Sequence, residues 1–532
     1  MLKKRFLWLL LLAAFVLSAN VLQAAEEAKA PAGPEKVIIY SGDKFKVELD
    51  GRIQLNMVQN QYAELNGAYG VWVVNQKWGF EIKGIGAATF PYPYISPIPG
   101  LVSAWLPWQA AIKRGNLMFD VRASELGLTV HGPGILGGYS FARVSIDFYG
   151  GFGATSAGQN GVSRQPVPRL TNAYAGLGWK TDMFQAKVTF GQYFSLVMPT
   201  LAWPVCLSYL PFFEKGVLFD FDQGILLSFV FGNDKFNVTV DGDIARAKSG
   251  NDNNLGLYQG EGTTYTNLYT GLTTMLLDNA GAGEATMRPA WHARVGVNIN
   301  PDPLFKLFVA VQGHYYTERA RLLTGIMDPF VTLLGATFEE TGGLFIKAED
   351  IASKSLGVQA KISVWIFTIQ GAGWIGQNMT NFLAGFDAGF RPSLSKPWQL
   401  VPDKGKGGYA QFIVVGPKVG IPIVLFVGMG QEVKNDMNRM GPTFPAYSPV
   451  LTAVTGLPFN GPNAAYAASA LNVTGGASST IITNSEVGGG LWLFFSQYMK
   501  LGYEFGQDVT KYKSVPGTST SQYHRLSCVY TF

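Results

Sequence analysis

The stretch Phe45–Met57, FKVELDGRIQLNM, alternates two kinds of residue without a break. Phe45, Val47, Leu49, Gly51, Ile53, Leu55 and Met57 occupy one parity, and Lys46, Glu48, Asp50, Arg52, Gln54 and Asn56 the other. Successive side chains of a strand point to opposite faces, so this segment is a strand between an apolar phase and a wet one. A soluble sheet with one solvated face has this pattern, and so does a membrane barrel around a watery lumen. The rest of the chain separates the two.

Composition favours the barrel. Hydrophobic residues make up 47% of the chain and charged residues 14%, against about 25% charged in ordinary soluble domains. After residue 25 there is no apolar run of the roughly 18 residues that a helix needs to span a bilayer. Low charge, frequent glycine and much alternation fit strands that face lipid. The amino terminus, MLKKRFLWLLLLAAFVLSANVLQAA, has a basic start, an apolar run and small residues at Ala24 and Ala25. It reads as a secretory signal peptide over 1–25. Residues 26–44 form a short periplasmic lead-in and 45–532 one barrel domain. The formal charge of +5 falls to +2 once the three basic residues of the signal are removed, which leaves no footprint for nucleic acid. Cys206 and Cys528 do not make a disulfide scaffold in a chain of this length and are expected to be free.

The alternation recurs along the chain. Sixteen strands are expected, near 45–57, 117–131, 139–149, 171–179, 184–193, 223–232, 235–247, 287–300, 304–318, 354–362, 365–378, 408–416, 421–434, 481–494, 497–508 and 521–532. The fold class is all-β, a transmembrane antiparallel barrel, with eighteen strands if a long loop hides a hairpin. Short turns such as KTD, GND and NPD alternate with long loops. That is the plan of an outer-membrane barrel with tight periplasmic turns and long external loops.

The carboxy terminus, QYHRLSCVYTF, puts Leu526, Cys528, Tyr530 and Phe532 on one parity, interrupted by His524. Here the chain resembles the outer-membrane porins, whose last strand ends in phenylalanine as a signal to the assembly machinery, a role the resemblance gives to Phe532. RASELGLTV (Arg122–Val130) is similar to the Arg/Ser-rich second strand near the constriction of trimeric porins. RVSIDF, TNAYAGLGW and VTFGQYF resemble the strands that follow in DcaP-like and general trimeric porins. Glu125 stands where that family commonly has a basic residue. Arg122 shares the parity of Leu126 and Leu128, so it faces inward only if a bulge shifts the phase. The resemblance implies a homotrimer in the outer membrane of a Gram-negative bacterium. It also implies contact with the lipid bilayer and lipopolysaccharide, and passage for small hydrophilic solutes.

The segment after Tyr193, FSLVMPTLAWPVCLSYLPFFEKGVLFDFDQ, is too apolar to wave in water. It occupies the place of the porin loop that folds inward, so Phe194, Trp203, Glu214 and Lys215 are the expected constriction residues. An earlier apolar segment, FPYPYISPIPGLVSAWLPW, either latches onto a neighbouring subunit or fills the lumen.

Catalysis is not expected. His131, His292, His314 and His524 are the only histidines, and no nucleophile with a positioned base is apparent. His292 and His314 share the inward parity of adjacent strands and are read as two polar residues lining a lumen. No Cys/His cluster has metal spacing, no heme-attachment motif occurs and no glycine run forms a phosphate loop, so no metal or cofactor is called. The alternatives are a closed barrel with a structural or adhesive role and, below it, an outer-membrane hydrolase.

Parity gives the lumen Arg52, Arg143, Lys187, Arg288, Arg294, Lys306, Lys361 and Lys500, against Glu48, Asp50, Asp147, Asp241, Asp243, Glu318 and Glu504. The pore lining is therefore slightly basic, and a mild preference for anions, small carboxylates among them, is expected. The turn and loop plan makes a first prediction. In a background lacking Cys206 and Cys528, cysteines placed at Asn233 or Asp302 escape an impermeant thiol reagent on intact cells, while those in 248–286 or 435–480 are labelled. Equal labelling of both groups overturns the topology.

Overall fold

The computed structural model describes residues 37–42, 44–62, 115–149, 166–208, 215–248, 286–324, 345–379, 400–435, 481–512 and 518–532, with short pieces at 79–81, 89–91, 212, 264–266, 273–275, 382 and 390–392. The signal segment, Glu214 and the apolar stretch near 90–108 lie outside the described residues, apart from Phe90 and Pro91.

The sheet begins with β1 (Val37–Ser41), from within the lead-in, and β2 (Lys46–Asn60). A separate hairpin, β3 (Gly79–Glu81) and β4 (Thr89–Pro91), precedes β5 (Asn116–Asp120) and β6 (Glu125–Ile135). Then come β7 (Gly138–Asp147), β8 (Arg169–Lys180), β9 (Phe184–Phe194), β10 (Phe221–Gly232) and β11 (Phe236–Ala245). A second small hairpin, β12 (Thr264–Thr266) and β13 (Thr273–Met275), leads to β14 (Ala290–Asp302), β15 (Phe305–Thr324), β16 (Phe345–Val364) and β17 (Phe367–Gln377). A third, β18 (Phe390–Pro392) and β19 (Leu400–Pro402), precedes β20 (Lys404–Val415), β21 (Ile423–Asn435), β22 (Ile481–Phe494), β23 (Met499–Tyr512) and β24 (Thr518–Thr531).

Consecutive barrel strands pair antiparallel, and β24 closes the cylinder by pairing Tyr523–Thr531 with Arg52–Asn60 of β2. With β5 and β6 taken as halves of one interrupted strand, the barrel has sixteen strands, and the small hairpins stay outside its wall. β1 pairs with Lys46–Leu49 of β2, below the point where β24 ends. There Phe532 and Gly51 exchange two backbone hydrogen bonds, at 2.9 and 3.0 Å. A Cβ at Gly51 would lie 2.8 Å from the Phe532 ring and 2.7 Å from the Glu125 carbonyl, so the seam needs glycine here.

Alternation sets which face meets which phase. Ile53, Val295, Val358, Ile369 and Val427 are 50–60% exposed on the outside. Exposed aliphatic side chains on strand after strand make a lipid-facing surface. Gln54 and Asn56, their neighbours on β2, are each 4% exposed and point inward.

Three strands differ from expectation. The second expected strand, 117–131, is interrupted at residues 121–124. There the Arg122 guanidinium turns back onto Asp120 at 2.8 Å and is buried. The interruption reverses the phase: Asp120 and Arg122 are buried, whereas Leu126 and Leu128, on the same sequence parity, are exposed. β15 and β16 each run 20 residues, beyond the roughly 9–11 that cross the hydrocarbon. The outer part of β16 carries Lys347, Glu349 and Asp350, so its sequence lacks the apolar parity that marks a spanning strand. Arg319 and Asp350 pair across this extension at 2.9 Å.

The exposed face generates a prediction. Leu55→Arg, which puts a charge into lipid, costs about 2–4 kcal/mol if Leu55 lies near the midplane. The heat-modifiable gel band that reports the folded barrel should weaken for Leu55→Arg and persist for Leu55→Val. Full retention of the band by the arginine variant would contradict the outward assignment.

Candidate functional site

Residues 195–220, between β9 and β10, form a loop (L3) that crosses the inside of the barrel. Its apolar side chains explain the excursion. Leu196, Val197, Met198, Ala202, Leu207, Val217, Leu218 and Phe219 are all at most 4% exposed. Leu207 packs with Ile413, Phe426, Trp492 and Val529 from the wall, and Phe212 stacks on Tyr409 at 5.7 Å between ring centroids. Gly216 adopts φ +109°, and a Cβ there would fall 2.3 Å from the Gly408 carbonyl, so L3 lies directly on β20.

A peptide chain inside the barrel also needs partners for its own polar groups. Five inward glutamines supply many of them. Gln54 donates to the Leu207 carbonyl at 2.9 Å and Gln370 to the Trp203 carbonyl at 2.9 Å. Gln411 accepts from the Val205 N–H at 2.8 Å and donates to the carbonyl of the same residue. Gln312 donates to Val197, and Gln359 to Met198 at 3.5 Å. Glu504 accepts from the Leu207 N–H at 2.7 Å, and Trp374 donates to the Gly216 carbonyl at 3.0 Å. Lys215 is fully buried; its ammonium holds Glu486 at 2.9 Å and also bonds Asp508.

L3 leans on one side of the barrel. The glutamines beneath it on β15, β16, β17 and β20 are at most 5% exposed. On β7 to β14 the inward Arg143, Tyr174, Lys187, Ser228, Thr239 and Asn298 are half-buried, whereas Ser145, Asp147, Asn172, Thr189 and Asp243 on the same strands are buried.

The inward charges are mostly paired. Arg143 grips Asp50 with two hydrogen bonds of 2.7 and 2.8 Å, and Arg294 grips Asp241 at 2.8 and 3.0 Å while reaching Thr200 of L3 at 2.7 Å. Arg52 donates to the Ala123 carbonyl and lies 3.7 Å from Glu125. Asp147 is fully buried and takes Arg169 on both oxygens. Lys187 and Lys306 lie on the inward parity near the tight turns, three residues and one residue into β9 and β15. Arg288 precedes its strand and is exposed, because β14 starts at Ala290. His292 and His314 do approach each other, with ring centroids 5.9 Å apart, but both are buried. Phe194 is the last residue of β9 rather than a loop residue, and it packs on Phe219 and Phe221. Trp203 sits in L3, half-buried against Phe219. On the tight-turn rim, burial and the neighbouring Lys306 hold the Lys418 ammonium below the usual lysine range. Cys206 and Cys528 are both free.

Sequence reasoning missed the glutamines and Arg169, Arg525 and Asp222. Glutamine recurs at mid-strand on the inward parity of β2, β15, β16, β17 and β20, which was the available signal. Arg525 also lay on the inward parity of the last strand; it is buried against Glu504 at 3.0 Å.

No family model and no curated protein sequence matches the chain. Among solved structures, the outer membrane channel DcaP of Acinetobacter baumannii superposes over 93% of this chain and 100% of its own, at a TM-score of 0.53 and 10% identity. The chain has the porin fold. More distant likenesses include Pseudomonas putida OprB (11% identity, 92% of this chain, 94% of that one, TM-score 0.44) and the anion-selective porin from Comamonas acidovorans (9% identity, 92% and 100%, TM-score 0.41). At such identities the likeness is one of fold.

Within this porin fold the glutamine contacts can be tested. Gln370→Ala with Gln411→Ala removes the partners of Trp203 and Val205, a cost of about 1–3 kcal/mol for each buried group left unsatisfied. The barrel band should persist while L3 becomes a substrate for protease added to the purified channel. Resistance equal to that of the parent protein would show that the apolar contacts alone fix the loop.

Proposed function

We propose that the protein is an outer-membrane porin through which small hydrophilic solutes diffuse down their gradients. The observation that carries this reading is the uneven filling of the interior: L3 is fastened chiefly to the wall from β15 round to β2, and inward polar side chains such as Arg143, Lys187, Ser228 and Thr239 on the remaining strands are only half-buried. DcaP, whose fold this chain shares, is an outer membrane channel, which agrees with that reading. A homotrimer, contact with lipopolysaccharide and delivery by the outer-membrane assembly machinery through Phe532 belong to the same proposal and rest on the strand resemblances.

The proposed selectivity is a mild preference for anions, with small carboxylates as cargo. Arg143 and Arg294 are each neutralised by an aspartate, so they contribute little net field. Lys187, Lys306, Lys361 and Lys500 have no carboxylate within ion-pair distance among the described residues. All four lie within a few residues of the tight turns, on the inward parity. Lys500 is held over the Trp492 ring at 4.4 Å. Physiological salt screens exposed charges over roughly 8–10 Å, so the lysines bias ions that pass close to the wall and give a modest selectivity.

The test is the zero-current potential of the purified protein in a planar bilayer under a salt gradient. The wild type should favour the anion, and Lys187→Glu with Lys361→Glu should move the potential toward the cation. An open channel that is cation-selective from the outset would refute the lysine reading. A folded protein with no conductance would favour the closed, adhesive barrel.

A further inference from the structure

Where L3 leaves β9 and returns to β10, three strands converge on one buried point. Asp222 begins β10, Asp243 lies on β11 and His292 lies opposite Asp243 on β14. The three are 2–4% exposed. His292 Nδ1 is 2.6 Å from Asp243 Oδ1 and 3.5 Å from Asp222 Oδ2. One donor atom from each residue lies within 4.8 Å of the others.

This cluster carries more negative charge than its neighbours balance. Lys248 is bound to both oxygens of Asp220 at 3.0 Å and is 3.7 Å from Asp222. Asp222 Oδ2 and Asp243 Oδ2 are buried with no hydrogen bond of ordinary geometry; beside them are only His292 Nδ1, 3.5 Å from Asp222 Oδ2, and the hydroxyl of Tyr193, which faces Asp222 across the strand pair and interacts with Asp243. Buried carboxylates matched so thinly are costly. His314 does not relieve it, because both of its nitrogens are taken by Ser355 and Ser353, at 2.7 and 2.9 Å.

We propose that Asp222, Asp243 and His292 bind one first-row divalent cation of the zinc class, with the Tyr193 hydroxyl beside the remaining coordination position. Two carboxylate oxygens and one imidazole nitrogen are a donor set suited to such ions, at about 2.0–2.2 Å from each ligand. Calcium, which takes six to eight oxygens, is a poor match. Binding places the metal on Nδ1 in its neutral form, so the Nδ1 proton now shared with Asp243 leaves to solvent as the ion enters. The side chains need only small movements, since the atoms already converge. The bound ion ties the start of β10 to β11 and β14, fastening the returning root of L3 to the wall. The residues come from three strands far apart in sequence, which is why no ligand spacing shows in the chain.

The test uses the full-length protein folded in detergent, stripped with a chelator and equilibrated with Zn²⁺ in excess magnesium. Elemental analysis should find one more zinc per chain in the wild type than in Asp222→Asn/Asp243→Asn. Zn²⁺ should raise the temperature of the heat-modifiable band shift in the wild type alone. His292→Gln keeps both carboxylates and should weaken zinc binding at least tenfold; it replaces the double variant if that one does not fold. Equal zinc content in the wild type and a folded variant, or a transition indifferent to Zn²⁺, overturns the site. Conductance of the metal-free protein is recorded separately, so the channel reading stands or falls on its own.

Discussion

A length of backbone inside the barrel must hydrogen-bond to something, and L3 meets that constraint with side-chain amides. Apolar residues such as Leu196, Val197 and Leu207 drive the loop off the external surface, but they carry peptide groups in with them. Gln54, Gln312, Gln359, Gln370 and Gln411 reach from five strands to those groups. Glutamine suits the task because one amide both donates and accepts, as Gln411 does with the N–H and carbonyl of Val205. An acid or a base at these positions would bring a charge that the apolar packing around Trp374, Tyr409 and Ile413 could not solvate. The uneven filling of the lumen follows from this arrangement, because a loop fastened chiefly to the wall from β15 round to β2 leaves inward side chains on the remaining strands, Lys187 and Ser228 among them, only half-buried.

The same economy governs the charges. In a narrow interior an isolated guanidinium acts strongly on every passing ion, whereas one held in a fork by a carboxylate acts mainly as a dipole. Arg143, Arg294 and Arg169 are all in the second condition, and Arg525 is paired with Glu504 through one nitrogen. Lysines near the tight-turn rim are in the first, where more water lowers the cost of leaving them single. Electrostatic character is therefore set less by how many basic residues line the wall than by which have carboxylates across the strand.

Much of the barrel was legible in the sequence because period-two alternation is a direct record of a wall between lipid and water. FKVELDGRIQLNM, WHARVGVNIN and the terminal QYHRLSCVYTF each displayed both faces. The parity of Leu126 and Leu128 against Arg122 even showed that a change of phase was needed. Legibility ended where that wall ends. Residues 345–353, the outer part of β16, carry charges on both parities, as in Lys347, Glu349 and Asp350, and read as loop. Asp147 and His292 had the inward parity of pore-lining residues, yet parity says nothing of burial, which depends on what L3 and the neighbouring strands bring. Arg288 was assigned to a strand that begins two residues later. The convergence of Asp222, Asp243 and His292 depends on register across three strands, which no single segment encodes.

One small feature at the seam bears on how the barrel closes. β1 and the end of β24 lie end to end along the same edge of β2, one below Gly51 and the other above it. β24 cannot slide toward the tight-turn rim without colliding with β1. In a cylinder the offset between first and last strands fixes strand tilt and diameter together, so a slip would change the bore as well as the pairing. A slip of one residue would also turn the lipid-facing side chains of β24 inward. Val37–Ser41 thus occupies the length of β2 edge into which a slipping β24 would have to move, although it lies outside the sixteen strands.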